Sequence, residues 1–221
     1  MSQLKRIGGD LALDFTNTAG WRGGSEDPGV LFDYADLAAW AEHAGIVGID
    51  RRKTLEALAV AEPERADEAF RTAIELREAL YRAFAARTHG AAIDPGDLTI
   101  INDAIADANQ HLCLAPDRDR LAWTWQGIEN ALEGPLWIVV RSAADLLTSE
   151  QLAHVRECEG EKCDWLFIDG SKNHSRRWCS MADCGNRAKA KRNYARKRGT
   201  QEIPNASDAS ANGHDNVSHG N

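Results

Sequence analysis

Residues 158–184 read CEGEKCDWLFIDGSKNHSRRWCSMADC, and the four cysteines in that stretch decide the fold. Cys158 and Cys163 form one pair with four residues between them, and Cys179 and Cys184 repeat that spacing fifteen residues on. Cys113 lies apart. Five cysteines in 221 residues are too few for a secreted disulfide scaffold, so their clustering points to a metal in a reducing compartment. Two short-range pairs brought together by a hairpin supply the tetrahedron that structural zinc requires. Four thiolates leave no coordination position open for water. The expected cofactor is therefore one structural Zn2+ held by Cys158, Cys163, Cys179 and Cys184. Four reduced structural cysteines, or His174 in place of one thiolate, are the alternatives.

The segment between the pairs reads as a hairpin. Trp165–Ile168 forms a strand, Asp169-Gly170-Ser171 turns, and Arg176-Arg177-Trp178 returns towards Cys179. After Cys184 comes GNRAKAKRNYARKR, rich in helix formers and free of β-branched residues. It carries seven cations within residues 187–198. Cations near a helix C-terminus gain only about 0.3–1 kcal/mol each from the dipole, too little to account for seven. Phosphates are the natural counter-charge, because neutralising them releases counterions. The expected nucleic-acid contacts are Lys172, Arg176, Arg177, Asn186, Arg187, Lys189, Lys191, Arg192, Tyr194, Arg196, Lys197 and Arg198. A merely solvated cationic helix is the competing reading.

Working outward, the net charge of −8 hides a division. Residues 158–198 hold eleven Lys/Arg against five Asp/Glu, a net of +6, which leaves −14 for the remainder. A basic binding module on an acidic body is implied. Upstream, FDYADLAAWAEHAG predicts a helix with apolar residues at 32, 37, 40 and 41. Asp50 is placed to cap a second helix, which Pro63 interrupts. A third spans 64–88 with Phe70, Ile74, Leu76, Leu80, Tyr81 and Phe84 near one side. Asp94-Pro95 begins a fourth, with Leu98, Ile101, Ile105 and Leu112 on its apolar face. Residues 119–126 predict a strand with Leu121, Trp123 and Trp125 pointing one way. A helix around 135–147 follows.

These elements define a mainly α (α+β) fold. An Ala-rich helical N-terminal domain with a small β element, residues 1–150, precedes a treble-clef or ribbon-like zinc finger at 151–198. Residues 199–221 are polar and small, and read as a disordered tail. The longest apolar run, LWIVV, is too short to span a bilayer, and the N-terminus has no signal-peptide core. A cytoplasmic protein without membrane contact is expected.

No phosphate-binding, dinucleotide-binding, nucleophile-elbow or zinc-protease motif occurs, so an enzyme is not expected; one with its pocket in the helical domain, and the finger as a docking element, is the lesser alternative. His111 and Cys113 are placed on one helix, facing apart, with Cys113 as a buried thiol. Asp14, Thr16, Asn17 and Thr18 form a dense polar set among Leu11, Leu13 and Phe15. Capping is one reading of it; a ligand site at Asp14, Asn17 and Thr18 is the other.

The run DWLFIDGSKNHSRRWCSMADCGNRAKAKR resembles the CGNR zinc finger, and LALDFTNT at 11–18 resembles the opening motif of the ABATE domain that precedes it. The resemblance covers residues 7–198. It implies a bacterial, stress-induced transcription regulator that binds nucleic acid through zinc, with the four named cysteines as ligands. Joined to the charge division, it predicts a DNA-binding regulator, with RNA as the alternative polyanion. The helical domain would sense a small-molecule effector or a partner, and a homodimer would pair two small modules on one site.

Overall fold

Asp10 caps a six-residue helix, α1 (Leu11–Thr16), by accepting from the Ala12 N–H at 2.8 Å. Ala12, Leu13, Phe15 and Thr16 are all fully buried, so the LALDFT segment lies at the centre of the molecule. The computed structural model describes residues 4–20, 22 and 29–201. Around α1 stand α2 (Tyr34–His43), α3 (Ile49–Ala61), α4 (Pro63–Thr88), α5 (Pro95–His111) and α6 (Gly134–Leu147). A hairpin of β1 (Leu112–Asp117) and β2 (Arg120–Trp125) joins α5 to α6. A second antiparallel pair, β3 (Val155–Glu157) and β4 (Leu166–Ile168), leads to α7 (Asn186–Gln201). The mainly α class with a small β element and a zinc finger is what the chain adopts.

The boundaries follow local chemistry. Asp33 and Asp94 cap α2 and α5, and prolines open α4 and α5 at the first turn, where a missing N–H costs nothing. Asp50 does not cap α3: Gly48 holds that position and Asp50 sits inside the first turn. Phe32 precedes the α2 cap and is 62% exposed, so it does not extend the apolar face. Leu98, expected on the buried face of α5, is also exposed.

The long helix α4 buries a ridge of Ala66, Ala69, Ala73, Ala79 and Ala83, with Leu76, Leu80 and Phe84 filling the gaps. Small side chains at these spacings let neighbouring helices approach closely. The larger Phe70, Ile74 and Tyr81 are only half-buried at its flank. Polar ties cross the core: Tyr34 Oη donates to the Leu132 carbonyl at 2.7 Å, and Trp137 Nε1 to Asp107 at 2.9 Å.

Two expectations about strands are corrected. The first concerns β1, expected as the end of a helix. The chain turns extended at Leu112, and six residues pair with β2 from Leu112↔Trp125 to Asp117↔Arg120. Both strands of a two-stranded ribbon are edges, so Pro116 is tolerated. Cys113 is therefore half-buried on a strand, not a buried helical thiol. Only the Trp125 end reaches the core, while Leu121 and Trp123 are 63% and 64% exposed.

The second correction concerns β4, whose partner is Val155–Glu157 rather than Arg176–Trp178. The ladder continues through Cys158 N–H to the Trp165 carbonyl at 2.9 Å, so the first cysteine pair is itself the hairpin loop. Residues 176–178 run past as an irregular return, held where the Glu159 N–H donates to the Arg177 carbonyl.

Along β4 the side chains alternate. Leu166 and Ile168 pack into the helical core; Trp165 and Phe167 pack around the cysteines. Among the described residues no helix is long and apolar enough to cross a membrane. The side chains of residues 197–201 and all of 202–221, where the tail was expected, lie outside the described residues.

Candidate metal centre and nucleic-acid interface

The four sulfurs of Cys158, Cys163, Cys179 and Cys184 all lie within 4.8 Å of one another, on buried residues. Cys163 and Cys179 are 3.6 Å apart, and Cys179 and Cys184 3.7 Å. A tetrahedron with Zn–S bonds near 2.3 Å has edges of about 3.8 Å. The donor set thus has the size, the softness and the count for one structural Zn2+.

The electrostatics agree. Hydrogen bonds from the Cys163 and Cys179 thiols, and from backbone N–H groups, hold the Cys158 thiol far below its ordinary range. The Cys163 and Cys179 thiols are pushed upward by that same proximity. Four crowded sulfurs cannot ionise together unless a cation sits among them, and zinc supplies that charge.

Local folding builds the cage. Gly160 sits at the middle of the first loop, where a Cβ would come within 2.8 Å of Cys184 Sγ, so only glycine lets the loop close on the fourth ligand. The Cys163 N–H returns to the Gly160 carbonyl at 2.9 Å, closing the turn. Gly160 N–H and Cys179 N–H donate to Cys158 Sγ at 3.4 and 3.2 Å. Arg187, in the first turn of α7, reaches back to Cys184 Sγ at 3.0 Å. These donors offset the excess negative charge of a four-thiolate site.

Asp169 organises the loop that returns to Cys179, accepting from Ser171 N, Ser171 Oγ and Arg176 N at 2.9, 2.6 and 2.9 Å. Those bonds hold its carboxyl below the usual range. Arg176 lies over Phe167, 4.4 Å from the ring centroid, and bonds the Trp178 and Cys179 carbonyls. His174 stacks on His154 with ring centroids 4.1 Å apart, away from the sulfurs.

Of the residues expected at the interface, Arg187, Lys189, Lys191, Arg192, Tyr194 and Arg196 are exposed along α7, which packs mainly on the Met181–Gly185 turn and projects beyond it. Asn186 Nδ2 donates to the Ala182 carbonyl at 3.1 Å, inside the helix start. Lys172 is exposed on the 169–176 loop. The side chains of Lys197 and Arg198 lie outside the described residues. Two cations meet carboxylates from the first loop: Lys191 contacts Glu161 at 2.9 Å, and Arg177 Nε contacts Glu159 at 2.6 Å. Glu159, Glu161, Lys162 and Trp178 stand here too, outside the set of contacts expected from the sequence. The alternation of acid and base inside the first pair, CEGEKC, was the available signal.

Asp14, Asn17 and Thr18 are buried together around a void of only about 10 Å³. Asp14 accepts from Gly8 N–H at 2.8 Å and faces Arg6, while burial raises its pKa. Asn17 bonds both backbone groups of Leu166, and Thr18 Oγ1 donates to the Phe15 carbonyl. A larger cavity of about 650 Å³ lies between α4, α5 and α6, with Trp137 stacked on His111 at 3.8 Å in its wall.

A tetrathiolate knuckle whose last ligand precedes a cationic helix, mounted on a helical body, defines a zinc-finger protein. The comparisons carry the class to a family. The ABATE family, described as "Putative stress-induced transcription regulator", matches residues 9–150, and the CGNR zinc finger matches residues 154–197. The chain belongs to the ABATE family and carries a CGNR zinc finger after that domain. No curated protein matches it. Both matched families are of regulatory or zinc-finger type rather than enzymatic.

Proposed function

We propose that this chain is a DNA-binding transcription regulator whose zinc finger delivers α7 to the phosphate backbone. The observation that carries this reading is the projection of α7, with exposed Lys189, Lys191, Arg192 and Arg196, from a chain whose net charge is −8. A cationic rod projecting from an acidic body is suited to a polyanion. The shape favours DNA over structured RNA, because the B-form major groove admits an α-helix and the A-form groove does not. Lys172 and the outer face of α7 are the contacts in this reading, with Tyr194 placed to touch sugar or base.

Residues 1–150 act as the sensing part, 151–198 as the nucleic-acid module and 199–221 as a tail. The effector of that sensing part is a small molecule held in the 650 Å³ cavity between α4, α5 and α6, which is of the size that ligands of that class fill. A homodimer acting in the bacterial cytoplasm completes the reading, since one small module makes few base contacts.

Fluorescence anisotropy of zinc-loaded protein on a labelled duplex, across a salt series, tests it. Affinity is expected to fall linearly on a log–log plot, and duplex is expected to outcompete structured RNA. Binding that ignores salt, or no binding, removes the proposal.

A further inference from the structure

The Cys158–Cys163 loop and the first turns of α7 enclose a groove of about 580 Å³ beside the metal centre. Half-buried Trp178 and Cys184 lie in its wall. Among the α7 residues in the wall, Ala188 has only a methyl, which leaves room that a longer side chain would fill. Five cations, Lys162, Arg177, Arg187, Lys191 and Arg192, and two carboxylates, Glu159 and Glu161, complete the lining. Arg187 is fixed in place by its bond to Cys184 Sγ at 3.0 Å.

Phosphate recognition alone requires neither a concavity of this size nor an aromatic ring. Arg177 lies over the Trp178 ring, its guanidinium carbon 5.3 Å from the centroid. An aromatic ring with cations around it suits a nucleotide whose base has left the stack: the base takes the ring as Arg177 swings aside, and the phosphate meets the cations. The carboxylates of Glu159 and Glu161, paired with Arg177 and Lys191, mark where anionic oxygens sit in this groove. Exposed pairs of that kind are weak, so a phosphate can exchange for either carboxylate.

We propose that this groove receives one DNA nucleotide turned out of the duplex, its base against Trp178 and its phosphate displacing Glu161 from Lys191. The inference rests on the DNA-binding reading above and adds what the finger recognises. Backbone phosphates position the protein; the groove selects sites where a base is unpaired or readily extruded.

Three duplexes of one sequence test it on the zinc-loaded full chain: fully paired, with one unpaired nucleotide, and with that nucleotide made abasic. The two bulged duplexes carry the same phosphates. Binding to the base-bearing bulge is expected to be at least about fivefold tighter than to the abasic one. Trp178→Leu is expected to bring these two to equal affinity at unchanged zinc content. Ala188→Leu, which narrows the groove while keeping Trp178 and the cations, is expected to do the same. Equal affinity of the unmodified protein for the two bulges overturns the proposal, as does a Trp178→Leu protein that retains the preference. Failure to bind all three duplexes at any salt instead removes the DNA reading, and the groove assignment with it.

Discussion

The side-chain amide of Asn17 bonds both backbone groups of Leu166, donating to its carbonyl at 2.8 Å and accepting from its N–H at 2.9 Å across 149 residues of sequence. Asn17 therefore behaves as a strand residue would, pairing the outer edge of β4 from the end of a helix. The Gly8 carbonyl extends the same edge by accepting from Ile168 N–H at 2.7 Å. The polar end of the LALDFTNT motif thereby fastens the finger to the helical body. Asn17→Ala leaves two buried backbone groups of Leu166 unpaired. It is expected to cost about 2–4 kcal/mol, read by urea unfolding of the zinc-loaded protein.

The metal cage makes a sharper demand on its loop. Gly160→Ala places a methyl against Cys184 Sγ, and one of the two must shift. Zinc retention against a competing chelator is expected to weaken about tenfold or more. Cys179→Ser removes a ligand outright, and elemental analysis is expected to fall from one zinc per chain to none.

Acid stability carries the signature of Glu78, to which Arg22 donates at 2.5 Å and Arg77 at 2.9 Å. Burial alone would raise this carboxyl, but the Arg22 and Arg77 guanidiniums outweigh it, and its pKa falls below the usual 4.5. A depressed carboxylate stabilises the fold above its unfolded pKa, and that contribution is lost as pH drops through the folded value. Unfolding free energy is expected to decline on acidification below about pH 4.5, and Glu78→Gln to flatten that decline.

On α7, Lys189 and Arg192 have no acidic partner among the described residues, unlike Lys191. Reversing both, Lys189→Glu with Arg192→Glu, is expected to reduce the slope of log affinity against log salt by about 2. Stability is expected to change by less than about 0.5 kcal/mol, since both side chains are exposed. Anisotropy titrations at several salt concentrations read the first; thermal melts read the second.

Much of this architecture is legible in the sequence because it rests on local chemistry. Asp94-Pro95, Gly134-Pro135 and His89-Gly90 punctuate helices wherever they occur, and the cysteine spacing dictates its own geometry. What escaped is long-range. Nothing within LCLAPD announces a strand; its extended form depends on pairing with RLAWTW. The β4 partner lies on the far side of the cysteine loop, so a search for the nearest return strand finds Arg176–Trp178 instead. The alanine ridge of α4 is invisible to a pattern that weighs only large apolar residues. At the site, ligand type and number were readable from the cysteines. The grip of Asn17 on Leu166 was not, because hydrogen-bonding partners 149 residues apart leave no periodic trace.

Strand β4 is three residues long, yet its alternate side chains face different interiors, Leu166 towards the helices and Phe167 towards the thiolates. A party wall of that kind cannot be demolished from one house alone. Stripping the ion should loosen the helices behind it, and heating should melt both compartments in a single step rather than in succession.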